Sequence, residues 1–272
     1  MFALTPPLFT QPAAAPAHAD PWAAVPDLFR RPDAALPTPW DTLFGPLRKS
    51  RVDDLVVVAQ MGQSIDGRIA TASGRPSYIN GAAGLDHLHR LRALVDAVVI
   101  GVNTAIADDP QLTVRRVAGP QPARVVIDPR RRLPGSARLL REDGARRLVV
   151  VAEGIEPQLP AGVEVVWVPP SNGETAPATI LAELASRGFT RVLVEGGART
   201  VSGFLAAGCL DRLHIVVAPI LLGGGPHSPA LASALRADGT PPVYAHLLGN
   251  EVLFDVDLSA QRMPIGRANT SR

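Results

Sequence analysis

Cysteine is almost missing from this chain: Cys209 is the only one in 272 residues. A single thiol excludes a disulfide framework, and no Cys-x-x-Cys pair or His/Cys cluster offers zinc-ligand spacing. A reducing, cytoplasmic compartment is the expectation. Long hydrophobic runs are also absent, since no apolar stretch approaches the roughly 20 residues of a membrane-spanning helix. Ala17-His18-Ala19 has the look of a small-residue cleavage site. The first Lys or Arg is however Arg30, and prolines at 6, 7, 12 and 16 break any apolar helix before it, so no signal peptide is expected. A one-signed charge field is lacking too. The pI is near 9.2, yet the formal net charge is only +2. The arginine runs at 130–132 and 146–147 lie among aspartates and glutamates, which reads as a solvated face rather than a nucleic-acid surface. Finally, no Gly-x-Gly-x-x-Gly is present, so a Rossmann domain is not supported.

What is present falls into two parts. Residues 1–50 hold ten of the 27 prolines, ten alanines and one glycine, a composition that does not build a regular core. They read as an N-terminal extension, followed by a domain over 51–260 and a polar tail over 261–272. Trp22, Phe29, Trp40 and Phe44 are out of place in a free tail, so the second half of the extension is expected to drape over the domain and bury these rings. Beyond residue 52, short apolar, β-branched runs recur: LVVVA (55–59), AVVIG (97–101), RVVID (124–128), RLVVVA (147–152), VEVVWV (163–168), RVLVE (191–195), LHIVVA (213–218) and EVLFDV (251–256). Such runs suit strands covered on both faces.

Helical stretches alternate with the runs. In 83–95, Leu85, Leu88, Leu91 and Val95 make one apolar face. Stretch 177–188 starts on a proline and stops at a glycine, and 198–208 is the third helix. The class expected is α/β, with a mostly parallel sheet of about eight strands flanked by helices.

Three stretches carry candidate chemistry. In VLVEGGARTVSGFLAAG (192–208) a strand ends on Glu195 and a helix starts after Gly196 and Gly197. A helix N-terminus presents unpaired N–H groups and a partial positive charge, and glycine lets a phosphate approach them. Glycines equally serve plain strand-to-helix turns. In QMGQSIDGRIATASG (60–74), Gly62 and Gly67 again clear space beside a strand end. In IGVNTAIADDPQLTVR (100–115), Asn103, Thr104, Asp108 and Asp109 place polar groups and a turn where open α/β sheets bind ligands. The pair Asp108-Asp109 precedes Pro110 and reads as a turn cap rather than a metal site. Arg115 closes that stretch, and Arg92 falls on the polar side of the preceding helix. Arginine suits a phosphate, which it can hold by two hydrogen bonds.

Together SIDGRIATASG, LHRLRA, GVNTAIADDPQLTVR, ARVVID, VLVEGG and GCLDRLHIVVAPILLGG resemble the reductase half of the bifunctional riboflavin-biosynthesis deaminase/reductase, over roughly residues 52–257. The resemblance implies a dihydrofolate reductase-like fold, usually a homodimer. It also implies NADPH as cofactor and reduction of the ribose of a 5-phosphoribosylamino-pyrimidine to a ribityl chain. Gly62, Thr104 and Asp108 match family contacts to NADP, and the segment from Gly196 through Gly197, Ala198, Arg199 and Thr200 to Gly203 matches the loop and helix start that hold its phosphates. Arg92, Leu112 and Arg115 match substrate contacts, the arginines around the 5′-phosphate. Glu195 matches the acidic residue that reaches the substrate and is the first catalytic candidate, with Asp66 the second; Asp66 could equally cap a turn. The deaminase's zinc motif needs more cysteine than this chain has, so a stand-alone reductase is expected.

Three positions depart from the pattern: Gln60 stands where many relatives carry lysine, Pro76 and Tyr78 alter a substrate-contacting stretch, and Pro129 replaces a cofactor-contacting serine. The alternatives are a same-fold NADPH reductase acting on a pterin or another heterocycle, and a non-catalytic dinucleotide-binding module.

Overall fold

The computed structural model describes residues 21–50, 52–70, 79–154, 158–169, 175–225 and 241–265. Pro76 and Tyr78 lie outside the described residues. Nine strands form one sheet: β1 (Val56–Ser64), β2 (Ala97–Gly101), β3 (Ala123–Ile127), β4 (Arg147–Ala152), β5 (Val163–Val168), β6 (Arg191–Glu195), β7 (Arg212–Ala218), β8 (Val243–Leu248) and β9 (Glu251–Asp257). Their order is β5-β4-β3-β2-β6-β1-β7-β9-β8. The pairings from β5 to β7 are parallel, whereas β9 runs antiparallel to both β7 and β8. All eight apolar runs lie in strands. The ninth strand, β8, is an edge strand whose residues are mostly exposed, so it never shows the continuous apolar signal of a strand covered on both faces.

Strand alternation divides the core in two. One face carries Val56, Val58, Val98, Ile100, Leu193, Val216 and Leu253. It is covered by α3 (Ala82–Leu94) and by the N-terminal segment with its short helices α1 (Val25–Phe29) and α2 (Trp40–Phe44). The other face carries Val57, Ala59, Val99, Val192, Val194 and Leu213. Against it lie α5 (Pro177–Ser186) and α6 (Ala198–Ala206), through Ile180, Leu181, Leu184, Val201, Phe204 and Leu205.

The four rings at 22, 29, 40 and 44 are buried within the first of these clusters. Trp22 meets Trp40 edge-on at 5.5 Å and Trp40 stacks on Phe44 at 5.7 Å. The indole N–H of Trp22 donates to Ala118 O at 2.7 Å. Residues 21–48 therefore complete the core of the sheet domain.

The face of α3 differs from its sequence pattern. Gly84, His87, Leu91 and Leu94 are buried, whereas Leu85 and Leu88 are only half-buried. The helix is rotated so that His87, Arg92 and the side chain of Glu251 can be satisfied beneath it. The carboxylate of Glu251 accepts from Asn80 Nδ2 at 2.9 Å, Gly81 N at 3.0 Å and Gly84 N at 2.7 Å, occupying the first turn of α3. A further helix, α4 (Val102–Asp108), lies where the sequence suggested only a polar turn. It buries just Val102 and Ala105, too few apolar positions to announce a helix.

Candidate active site

At the carboxyl end of the sheet, neighbouring strands send their helices to opposite faces. Strands β1 and β2 are followed by α3 and α4 on the face of the N-terminal segment, and β6, between them, is followed by α6 on the other. Open α/β sheets bind ligands in the crevice that such a switch creates. Glu195 is the last residue of β6 and is buried there.

The glycines after Glu195 have a backbone reason to be there. Gly196 has φ 38° and Gly197 φ 68°, a region in which a Cβ costs about 1–2 kcal/mol. A Cβ on Gly197 would also stand 2.4 Å from Thr104 Oγ1, and one on Gly101 would stand 2.5 Å from Thr200 Oγ1. The starts of α4 and α6 thus lie side by side, each with a glycine N-cap, no side-chain cap and no acidic residue in the first turn. Ala198, Arg199 and Thr200 form the first turn of α6. Two helix N-termini without a carboxylate form a surface suited to an anion. Thr104, Gly196, Gly197, Ala198, Arg199 and Thr200 are brought together here. Asp108 is exposed at the far end of α4, a full helix away from that first turn. Asp109, in the left-handed region, accepts from Arg138 N at 2.8 Å, as a turn cap should.

Gly62 is not open: a Cβ there would lie 1.6 Å from Asn80 Oδ1, so this glycine makes room for a side chain of the protein itself. Asp66 is a loop staple. It accepts from Ser64 Oγ at 2.7 Å, Leu222 N at 3.0 Å and Gly223 N at 2.8 Å. The Ser64 hydroxyl and these backbone amides hold its carboxyl down at about 2, which leaves it no proton to give near neutral pH. Its second reading, the turn cap, is the one the geometry supports.

Arg92 corrects its expected position. It is buried, on the sheet side of α3 rather than the polar side. Its Nε and Nη2 donate to the two oxygens of Glu195 at 2.6 and 2.7 Å, and its Nη1 donates to Thr113 O at 3.0 Å. The side chains are 7% and 8% exposed. Arg115 is exposed, with a 3.4 Å contact to Thr113 Oγ1, so Thr113 joins the two arginines. Between α4 and Thr113 the chain passes through Leu112, which is buried with φ 56°. A bulky residue in that region is an outlier of the kind that clusters at ligand sites.

Beside Glu195 the sheet carries a polar row the sequence reading missed. Gln60 pairs with Glu195 and with His214, and His214 pairs with Asp255. Residues in register share a face, about 4.8 Å apart, so these four polar side chains cross the face that otherwise holds Val58, Leu193, Val216 and Leu253. All four are buried. His87 of α3 sits above, its Nε2 3.0 Å from His214 Nδ1 and its ring stacked on Phe44 at 5.7 Å. Asp255, held down at about 2 by its bonds to His214 and Arg212 against the opposing effect of burial, completes the chain. Histidine and aspartate inside otherwise apolar strand runs were the available signal.

Compared with known proteins, residues 56–236 match the family model described as the RibD C-terminal domain. The chain belongs to the RibD C-terminal domain family. It is 35% identical over 175 residues to the 2,5-diamino-6-ribosylamino-4(3H)-pyrimidinone 5′-phosphate reductase of Methanothermobacter thermautotrophicus, covering 62% of this chain and 79% of that protein. It is 35% identical over 173 residues to the riboflavin biosynthesis protein RibD of Aquifex aeolicus, where it covers 62% of this chain and spans only 48% of that protein. Among solved structures, the diaminohydroxyphosphoribosylaminopyrimidine deaminase/5-amino-6-(5-phosphoribosylamino)uracil reductase of Thermotoga maritima superposes with a TM-score of 0.64 at 27% identity, covering 75% of this chain and 56% of that one. No group of three or more His, Cys, Asp or Glu that could hold a metal occurs among the described residues.

Proposed function

We propose that the protein reduces the ribose of a 5-phosphoribosylamino-pyrimidine to the ribityl form, with NADPH as reductant. The observation that carries this reading is the crevice itself: a buried carboxylate, Glu195, one residue before a glycine turn whose neighbouring helix starts suit phosphates. The reductases among the relatives act, by their names, on substrates of this class.

NADPH, when bound, supplies the hydride; Thr104 and the turn from Gly196 to Thr200 would hold it. The chain's own residues do the rest. The substrate's glycosylamine opens to an iminium, which concentrates positive charge near C1′. A fixed, water-shielded carboxylate at Glu195 stabilises that charge as it develops. The sugar oxygen released by opening takes up a proton and becomes a hydroxyl. Arg115, exposed and linked through Thr113 to the Arg92–Glu195 pair, is the group for the 5′-phosphate.

Two finer statements belong with this reading. A homodimer is supported by an apolar strip on one face of β8 and β9, where Val243, Leu247 and Phe254 are 50%, 82% and 38% exposed. A reducing compartment suits the lone, buried Cys209, and no described helix is long and apolar enough to cross a membrane.

The test is NADPH oxidation with the diamino and the deaminated phosphoribosylamino-pyrimidines, each with and without the 5′-phosphate. Arg115→Ala should raise KM for the phosphorylated substrate about ten- to a hundredfold, as expected for losing a charge-assisted contact. Lysine at 115 should recover only part of the loss. Equal losses on both phosphorylated and dephosphorylated substrate would remove Arg115 from the phosphate.

A further inference from the structure

We infer that Arg132 reads the 2′-phosphate of NADPH and so sets a preference for NADPH over NADH; the inference rests on the reductase reading above. Strands β6, β2 and β3 are consecutive neighbours in the sheet. Val99 is level with Val194 and Gly101 with Ile127, so the three strands end together. The end of β3 is two strand spacings, about 10 Å, from the end of β6. Side chains bridge that distance. Thr104, in the first turn of α4, faces Gly197. Its neighbour Asn103 accepts from Arg132 Nη2 at 2.8 Å. Arg132, in the loop after β3, is thereby laid against the same row of strand ends.

The loop holds this arginine in place. Asp128 is buried, its Oδ2 accepts from Leu133 N at 2.8 Å, and its carbonyl accepts from Arg131 N at 3.1 Å. Leu133 is itself buried in the core. Arg131 has φ 53°, a turn that a bulky residue adopts only when its surroundings impose it, and such residues cluster at ligand sites. Arg132 is thus pinned on both sides of its Cα while its side chain is exposed. Among the described residues its guanidinium meets a neutral amide and no carboxylate. Asn103 takes one donor and leaves the rest of the fork for a group with several acceptor oxygens, such as a phosphate. The hydride end of the cofactor has to meet the substrate beside Glu195. A dinucleotide whose pyrophosphate lies at Gly197 therefore carries its adenosine along the strand ends, past Thr104, toward β3. The 2′-phosphate is the further anion on that half, and an arginine near the ribose is a general way to accommodate it. NADH has no such group to offer Arg132.

The experiment measures binding of NADPH and NADH to the full chain by fluorescence, without substrate, and uses adenosine 2′,5′-bisphosphate and 5′-AMP as competitors. Arg132→Ala should weaken NADPH and the bisphosphate about ten- to a hundredfold, the range for one charge-assisted contact, and leave NADH and 5′-AMP unchanged. Arg132→Lys should recover part of the loss, since the charge remains and the fork does not. Asn103→Ala, which frees the guanidinium from its tether, should cost a smaller part of the same preference. Arg130→Ala, in the same loop, should leave the preference as in wild type. Gly197→Ala should weaken both dinucleotides together, because it acts at the pyrophosphate they share. An equal loss of NADPH and NADH in Arg132→Ala would make the arginine a brace for α4. That result, an unchanged NADPH affinity, or a wild type that binds the two dinucleotides alike overturns the inference while the reductase reading stands. A folded wild type that binds neither dinucleotide overturns both.

Discussion

Gly197 shows how a residue can be required twice. Its φ of 68° is open to glycine, and the space a Cβ would enter is held by the Thr104 hydroxyl 2.4 Å away. Gly197→Ala should cost about 1–2 kcal/mol for the backbone alone, with a further steric loss, measured as a lower denaturant midpoint. Adding Thr104→Ala should recover the steric share and leave the backbone share. NADPH affinity, followed by fluorescence, should fall in the single variant, and an unchanged affinity would place the phosphates elsewhere. Asp66 makes the opposite point. It was a plausible acid by type, but Ser64, Leu222 and Gly223 surround it with donors and hold it ionised. Residue type nominated both positions; only the neighbours separated a bare glycine turn between two helix starts from a loop staple.

Helices and strands were legible where their burial was simple. The parallel strands read as continuous apolar runs because both their faces are covered, whereas β8 is an exposed edge and α4 buries two residues, so neither had a pattern to show. The N-terminal segment is the instructive element. Its proline content argued for an extension, yet its rings fill the space above α3, with Trp22 fully buried and hydrogen-bonded to Ala118. Trp22→Ala should therefore destabilise the whole domain by about 3–5 kcal/mol, the usual cost of emptying a large aromatic site. Calorimetry or urea unfolding checks this, and a change under 1 kcal/mol would mean the segment only rests on the surface.

At the scale of the molecule, the sheet gathers buried histidines whose protonation opposes folding. Burial, then the neighbouring His214, pushes His87 well below its ordinary value. His89 is pushed down to about 3 by burial and by Arg92, Arg115 and Arg116, and it accepts the Arg115 N–H at 3.1 Å. The unfolded chain would take up protons on both near pH 6.5 while the folded chain does not. Their contribution is thus present above about pH 6.5 and is lost progressively as pH falls toward 3. The urea midpoint should drop between pH 7.5 and pH 5, and His89→Gln, which keeps an acceptor and cannot titrate, should flatten that drop. The sequence by itself determined the α/β class, eight of the strands, the glycine turn after Glu195 and the family, because these follow from local periodicity and from residues adjacent in the chain. The tertiary structure alone decided that Arg92 faces Glu195, that Gly62 makes room for Asn80 and that Gln60, His214 and Asp255 line up beside the site. Those pairings join residues 18 to 195 positions apart, brought together by strand order and by the rotation of α3, and neither is written in any one stretch of the chain.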